Sequence, residues 1–250
     1  MDAAEAVARV AGEVALRHYQ RGVTVETKSD GTPVSVADRQ AEEAARAWLE
    51  KHCPEDGILG EELGTTRPDA PRRWILDPID GTKTFVRRVP LWGTLVALAE
   101  GEKVLAGAAY FPAVDEILVA AQGAGCLWNG KPARVSGVSR LSEAVVLTTD
   151  ARMGTPAQVA GLDALCLRAG HVRTWGDCYG YLLVATGRAE VMIDPLLNPW
   201  DGAALLPILE EAGGSFCDWR GERTIYGGSG VGTTAALRDE VLRVLRGRNP

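Results

Sequence analysis

The chain has 250 residues, of which 46% are hydrophobic and 24% charged, and these proportions exclude a largely disordered protein. Its net charge of −6, with no stripe of lysine and arginine, argues against a nucleic-acid partner. The five cysteines without a Cys-x-x-Cys pair, the acidic N-terminus and the lack of an apolar run of ~20 residues predict a cytoplasmic protein with reduced thiols and no membrane span.

The first elements predicted along the chain are two helices separated by an extended segment and a polar loop. Gly22 ends the first helix, whose apolar residues recur at helical spacing: Ala3, Val7, Val10 and Val14. Residues 23–28 are predicted to be extended and residues 29–33 to form the loop. Ser35 is suited to cap the second helix, and Asp38 then lies in its first turn, where an acid also favours the helix dipole.

The middle of the chain predicts an antiparallel meander. Alternating apolar residues and turn signals favour strands at residues 94–99, 104–111, 116–121 and 126–128. Beyond residue 135 the patterns alternate between strands and helices, at residues 144–148, 155–169, near 172, 177–186 and 191–193.

The last part of the chain predicts a loop over the glycine-rich residues 227–234 and then a final helix from residue 235 or 236. We therefore expect an N-terminal α+β half, residues 1–135, and a C-terminal α/β half, residues 136–250. The sequence has no low-complexity linker between them, so the halves are expected to form one compact unit with a shared core.

Residues 74–82 carry the strongest indication of chemistry. The apolar run 74–76 is typical of a buried strand, and it is followed at once by Asp77 and, after a proline, by Asp80. Gly81 and Thr82 come where a helix can begin, with free backbone N–H groups that suit a bound anion. Two carboxylates beside an anion pocket favour magnesium and phosphate together, although Asp-Pro and Asp-Gly are also common in ordinary turns.

Two other segments also place acids at the end of an element. Glu61 and Glu62 follow the short apolar run 58–60, and Asp201 comes just before an alanine-rich helix. Glu62 is as well explained as a surface acid. Three such segments together favour a metal-dependent phosphate site over three unrelated turns.

These motifs resemble those of the inositol monophosphatase-like family of magnesium-dependent phosphatases. Four segments correspond to the family's motifs in order and spacing: residues 60–62, 74–82, 199–203 and 211–214. The resemblance covers nearly the whole chain. It implies a layered αβαβα sandwich, hydrolysis of a phosphate monoester, magnesium as the cofactor with two or three ions per site, and a homodimer.

The resemblance also implies a role for each matching residue. One magnesium ion would be held by Glu61, Asp77 and the carbonyl of Ile79, and a second by Asp77, Asp80 and Asp201. Gly81 and Thr82 would bind the phosphate, and Asp201 would contact the substrate. Asp38 would pair with Thr82. Lys28, in a loop, would also contact the substrate. Water near Glu61 and Thr82 would attack the phosphorus directly, without a phosphoenzyme.

Within the family the resemblance is closer to the histidinol-phosphate phosphatases. Residues 89–95 and the segment containing Gly176 and Asp177 are similar to motifs of that branch, and Asp194 takes the place of a substrate-contacting acid. Trp175 replaces a usual glycine, and Asp194 replaces a glutamate common in relatives. Two acids near the leaving group suit histidinol, which is cationic, better than a neutral polyol. Trp92 is expected in the core or in the pocket wall, where it could stack against a substrate ring.

Two alternatives remain open at this stage. One is an inositol monophosphatase or a broad sugar-phosphate phosphatase that uses the same metal ions. The other is a metal-dependent regulator that keeps the pocket without catalysis, although all the implied ligands are present.

Overall fold

The structure of the protein, a computed structural model, describes the backbone of residues 1–21, 25–27 and 33–247 and the side chains of residues 1–21 and 36–247. Lys28 therefore lies outside the described residues, as do most of the predicted polar loop and the side chain of Ser35. Within the described part of the chain, no helix is long and apolar enough to cross a membrane.

The N-terminal elements are two helices and a short hairpin. Helix α1 (Asp2–Arg21) and helix α2 (Val36–His52) confirm the two predicted helices. Between them, strands β1 (Val25–Thr27) and β2 (Pro33–Ser35) pair antiparallel. Both helices bury an alanine-rich face, which allows them to pack closely on each other and on the sheet that follows.

An eight-stranded sheet follows, with strand order β10-β9-β8-β7-β6-β5-β3-β4. Its strands are β3 (Gly57–Gly60), β4 (Gly64–Thr66), β5 (Arg72–Asp80), β6 (Gly93–Glu100), β7 (Lys103–Phe111), β8 (Glu116–Ala121), β9 (Gly125–Trp128) and β10 (Lys131–Pro132). Strands β6 to β9 form the predicted antiparallel meander, which is confirmed. Strand β3 is parallel to β5, so their carboxyl ends reach the same edge of the sheet. The short helix α3 (Thr82–Val86) begins just beyond β5.

The second sheet has five strands in the order β12-β11-β13-β15-β14. They are β11 (Val145–Thr148), β12 (His171–Arg173), β13 (Val191–Asp194), β14 (Gly214–Cys217) and β15 (Gly230–Thr234). The helices of this part are α4 (Pro156–Cys166), α5 (Asp177–Ala185), α6 (Pro199–Ala203), α7 (Leu205–Glu211) and α8 (Arg238–Leu245). Strands β11 and β13 are parallel, which again brings their carboxyl ends to one edge.

Three buried clusters hold five layers together. The first lies between α1, α2 and the large sheet, and the second between the two sheets, where α5 and α7 are sandwiched. The third joins the outer face of the small sheet to α4 and α8. The order of layers is thus helix, sheet, helix, sheet, helix, and the predicted αβαβα sandwich is confirmed.

The loop predicted at residues 227–234 is wrong for its second half, which forms β15 in the interior of the small sheet. Its glycines are needed for close packing instead. A Cβ on Gly230 would lie 2.5 Å from the hydroxyl oxygen of Tyr181, and one on Gly232 would lie 2.8 Å from Cδ1 of Leu209. The final helix accordingly begins at Arg238, slightly later than predicted.

Strand β5 also differs from the prediction, because it continues through Asp77 and Pro78 to Asp80. Its pairing with β6 shifts register between Asp77 and Asp80. Such an irregularity bends a strand and changes the direction of its side chains. Asp77 and Asp80 therefore both belong to the irregular end of β5, whereas Asp80 was predicted to lie in a turn after the strand.

Candidate metal and phosphate site

Asp77 is almost completely buried, with 1% of its surface exposed. Its Oδ1 accepts a hydrogen bond from the backbone N–H of Ile79 at 3.0 Å, and the hydroxyl of Thr94 donates to the carbonyl of Pro78 at 2.8 Å. These two bonds hold the irregular end of β5. The carboxylate of Asp77 is thereby fixed toward the edge of the sheet.

Asp80 and Asp201 complete a group of three carboxylates with Asp77. One oxygen from each acid lies within 4.8 Å of the others. Asp201 lies inside the first turn of α6 and not before the helix as predicted. Its carboxylate accepts a bond of 2.7 Å from the backbone N–H of Asn198, while the Asn198 side chain caps the same turn, so the helix start itself orients the acid.

Glu61 reaches the group from the neighbouring strand. The backbone N–H of Glu61 donates to the carbonyl of Leu76 at 3.2 Å, which extends the parallel pairing of β3 and β5. Its carboxylate lies near that of Asp77, whose pKa its negative charge raises, and lines the same cavity as Asp77, Asp80 and Asp201. The structure thus brings together all four acids predicted from three separate segments.

The turn that carries Glu61 is anchored from behind by Glu42 of α2. The Glu42 carboxylate is fully buried and accepts hydrogen bonds from the backbone N–H groups of Glu62 at 2.8 Å and Leu63 at 3.2 Å. Arg46 donates to the same carboxylate at 2.8 Å. Glu62 contacts this anchor through its backbone.

The clustered acids strongly disfavour their own ionisation in the metal-free protein. Burial, and then the negative charges of Glu61 and Asp80, raise the pKa of Asp77 well above its ordinary value. Burial and the charge of Asp177 do the same to the pKa of Asp80. Burial raises the pKa of Asp201 to about 6, against its hydrogen bonds from Asn198.

This donor set fits a hard divalent cation. Among the described residues, no lysine or arginine forms an ion pair with Asp77, Asp80 or Asp201 to offset their charge. All the converging donors are oxygens, the ligand type that magnesium prefers. The carbonyl of Ile79 accepts a bond of 3.1 Å from the hydroxyl of Thr82 and retains a second lone pair.

The phosphate end of the site is built around Gly81. Gly81 has a φ of +86°, in the left-handed region that favours glycine, and directly precedes α3. The first N–H groups of a helix, here starting at Thr82, have no acceptor within it. Asp38 lies buried in the first turn of α2. Its hydrogen bond to Thr82 stays a prediction, because the Thr82 hydroxyl directs its proton to Ile79.

A cavity of about 320 Å³ adjoins the acids on the side of α5. Gly176 precedes α5 at its N-cap, and Asp177 is the first residue of the helix, with a φ of +50°. Oδ2 of Asp177 accepts a bond of 3.1 Å from the hydroxyl of Thr84. Burial raises the pKa of Asp177, an effect that this bond and the charge of Lys83 oppose.

Asp194 ends β13 and is 7% exposed at the floor of a recess that it shares with Asp80, Asp177 and Asp201. Burial raises its pKa to about 7, although a hydrogen bond from Thr149 opposes the shift. The two acids predicted to contact the leaving group therefore lie on one side of the metal cluster. Both are partly or wholly withdrawn from water.

Several residues of this region were not found from the sequence: Lys83, Thr84 and Thr149. Thr149 directly follows the predicted strand 144–148, and polar residues at strand ends were the signal used for the acids. The same rule would have found it. Trp92, predicted to lie in the core or in the pocket wall, lies in the core, where it is fully buried against Phe85 with ring centroids 4.8 Å apart.

Known proteins resemble this chain over most of its length. The family model described as the inositol monophosphatase family matches residues 1–247. The histidinol-phosphatase of Chlorobaculum parvum is 43% identical over 90% of this chain and 88% of its own, and that of Mycobacterium tuberculosis is 40% identical over 87% and 86%. The solved inositol monophosphatase from Zymomonas mobilis has a TM-score of 0.87 and 33% identity, covering 98% of this chain and 96% of its own.

Proposed function

Because this chain belongs to the inositol monophosphatase family of phosphoric monoester hydrolases, we propose that it hydrolyses L-histidinol phosphate to L-histidinol and phosphate with magnesium as cofactor. One observation carries the choice of substrate. Asp177 and Asp194 lie together beside the metal cluster, where the leaving group must emerge. Two buried carboxylates favour a cationic leaving group, because a neutral one would leave their charge unpaired. The names of the relatives from Chlorobaculum parvum and Mycobacterium tuberculosis support the same choice.

In the proposed mechanism, magnesium would be held by Glu61, Asp77, Asp80, Asp201 and the carbonyl of Ile79. When bound it supplies charge neutralisation for the phosphate and acidifies water. The N–H groups of Gly81 and Thr82 would bind the phosphate oxygens and orient the phosphorus.

The remaining steps belong to side chains on either side of the phosphate. Glu61 and Thr82 would orient the attacking water, whose proton would pass to the Thr82 hydroxyl as Thr82 gives its own proton to Asp38. Asp201 would contact the leaving oxygen on the opposite side. Asp177 and Asp194 would bind the cationic part of the alcohol, which aligns the breaking bond. Positioning of this kind supplies most of the rate in phosphoryl transfer.

A second candidate is hydrolysis of inositol 1-phosphate or of sugar phosphates. Lys83 and Arg87 also line the cavity next to Asp177, and they make it less uniformly acidic. A pocket with both signs of charge can accept a hydroxyl-rich leaving group through hydrogen bonds. The resemblance to the Zymomonas mobilis enzyme supports this candidate.

The deciding experiment measures phosphate release from a panel of esters at equal concentration with magnesium. The panel contains L-histidinol phosphate, inositol 1-phosphate, fructose 1,6-bisphosphate and p-nitrophenyl phosphate. The proposal expects the highest kcat/KM for L-histidinol phosphate. A preference for a neutral polyol phosphate would favour the second candidate instead. If no ester is hydrolysed, the non-catalytic metal-dependent regulator would be favoured.

Other features of the proposal rest on the family resemblance or on the sequence patterns described above. We propose two or three magnesium ions per site, a homodimer, a division of the chain near residue 135, and a role in histidine biosynthesis in the cytoplasm. Isothermal titration with magnesium would count the ions. Light scattering coupled to size-exclusion chromatography would give the oligomeric state.

A further inference from the structure

We propose that Thr149 is a positioning residue that holds Asp177 and Asp194 in register with each other, and so sets the preference for the leaving group. The inference rests on the proposed function, since it concerns how the same site selects its substrate. Strands β11 and β13 pair in parallel, with Thr148 opposite Ile193. One residue further along, Thr149 and Asp194 lie side by side at the edge of the sheet.

The hydroxyl of Thr149 makes a hydrogen bond to each side. It donates to Oδ1 of Asp194 at 2.5 Å and accepts from the backbone N–H of Asp177 at 2.8 Å. An N–H group can only donate, so the hydroxyl must accept from Asp177 and its single proton goes to Asp194. One oxygen atom thereby connects the last residue of β13 to the first residue of α5.

The chain before α5 is shaped around this threonine. A Cβ on Gly176 would lie 2.3 Å from Cα and 2.6 Å from Oγ1 of Thr149, so only glycine allows the approach. The next residue, Asp177, has a φ of +50°, which is unfavourable for a residue other than glycine. Thr149 holds its backbone and Thr84 its carboxylate. Together the two bonds hold Asp177 with its carboxylate at the cavity.

Thr149 itself lines the cavity next to the acids, and it is partly buried. Replacing it by valine keeps the shape of the side chain but leaves the N–H of Asp177 and the carboxylate of Asp194 without their shared partner. The substitution should disturb the orientation of Asp177 and Asp194 and leave the proposed magnesium ligands in place. We therefore expect the effect to depend on the leaving group.

The test compares Thr149→Val with two matched variants. Thr149→Ser retains the hydroxyl. Thr148→Val makes the same substitution one residue earlier, where the buried hydroxyl has no hydrogen-bond partner among the described residues. For each variant, kcat and KM are measured with L-histidinol phosphate and with inositol 1-phosphate, together with the magnesium concentration at half-maximal rate and the Tm.

Thr149→Val should raise KM for L-histidinol phosphate about 10-fold to 100-fold, as expected for loss of a hydrogen bond to a charged group. Its kcat/KM for inositol 1-phosphate and its magnesium requirement should change less than about threefold, within the range of an ordinary surface change. Thr149→Ser and Thr148→Val should behave like the unmodified protein. Equal losses on both esters, no loss on either, or the same loss in Thr148→Val would overturn the inference.

Failure of the proposed substrate gives a different result. It is visible in the unmodified protein alone, as the absence of a preference for L-histidinol phosphate. The role of Thr149 is then judged on the ester that the protein prefers, whose KM should rise in Thr149→Val and not in Thr149→Ser. If that KM is unchanged, the positioning role is wrong whatever the substrate.

Discussion

The backbone N–H of Cys178 donates a hydrogen bond of 2.6 Å to Oδ2 of Asp80. Asp80 ends β5 in the carboxylate cluster, and Cys178 is the second residue of α5, directly after Asp177. This bond joins the group of acids that would hold magnesium to the helix that carries Asp177, an acid proposed to contact the substrate. Substitutions that leave this bond from Cys178 in place are expected to leave Asp80 undisturbed.

Asp177→Asn tests the charge of that acid while preserving its backbone. Asparagine tolerates a positive φ and can still accept the hydrogen bond from Thr84. Burial already disfavours the charged form of Asp177, so we expect the free energy of unfolding to change by less than about 1 kcal/mol. The kcat/KM for L-histidinol phosphate should fall roughly 10-fold to 100-fold, while that for inositol 1-phosphate stays nearly constant.

The control for this prediction is Asp163→Asn, which removes an exposed acid on α4. It should leave both rates unchanged. A uniform loss on both esters in Asp177→Asn would mean that the acid acts on the phosphate half of the site. Rates that stay unchanged would remove Asp177 from substrate binding.

Asp77→Asn should abolish magnesium-dependent hydrolysis, because Asp77 is the acid shared by both proposed ions. The far-ultraviolet circular dichroism should be retained. Burial and neighbouring charges raise the pKa of Asp77, so a neutral side chain there relieves repulsion in the metal-free protein. We therefore expect the Tm of the variant in EDTA to equal or exceed that of the unmodified chain in EDTA. Full activity in this variant would contradict the proposed ligand set.

The fold was largely predictable because its elements have strong local patterns. Helix α2, the meander β6 to β9 and the start of α3 after Gly81 each follow from apolar periodicity or from one special residue. Strand β15 was not predictable, because its glycines signal a loop until Tyr181 and Leu209 are seen packed against them. Local patterns do not report such distant neighbours.

The site was predictable to the extent that its acids end apolar runs. Asp77, Asp80 and Asp201 each lie near the end of an apolar run or the start of a helix, and the family resemblance assigned them to one metal site. The link made by Thr149 depends on the register between β11 and β13 and on the path of the chain into α5. Neither the register nor the path of the chain can be predicted from the presence of a threonine after a strand. The irregular end of β5 was missed because Pro78 indicates a strand end more often than a bulge.

Gly60→Ala tests how closely Glu42 supports the turn that carries Glu61. A Cβ on Gly60 would overlap the Glu42 carboxylate, at only 2.4 Å from its Cδ. Either the carboxylate or β3 must therefore move. We expect a loss of about 1–3 kcal/mol in the free energy of unfolding, as for other overpacked cores. The magnesium concentration at half-maximal rate should also rise, because the displaced turn carries a proposed ligand.

The matched control is Gly137→Ala, since a Cβ at Gly137 would meet no atom within 4 Å and the residue lacks a positive φ. That variant should stay within about 0.5 kcal/mol of the unmodified chain. Urea unfolding and magnesium titration of the rate check both effects. A Gly60→Ala variant that is destabilised but keeps its magnesium requirement would show that Glu42 supports the fold without orienting Glu61.

The stability of the metal-free protein should fall as the pH rises from about 4 to 7.5. Burial raises the pKa of Asp194 from 3.8 to about 7 and that of Asp201 to about 6. In this pH range the folded chain therefore binds more protons than the unfolded chain, and such a difference makes stability decrease with rising pH. The contribution of Asp194 is fully present below its unfolded pKa and is lost as the pH passes the folded value, on the order of 4 kcal/mol by the linkage relation.

Urea unfolding in EDTA between pH 5 and 7.5 measures this slope, and two comparisons assign it. Asp194→Asn should reduce the slope, because the substituted side chain does not titrate. Saturating magnesium should reduce it further, since a cation held by Asp77, Asp80 and Asp201 favours their ionised forms and binds less well when they are protonated. A metal-free protein whose stability rises over this range would contradict the raised pKa values, and a slope that magnesium leaves unchanged would contradict its binding to these acids.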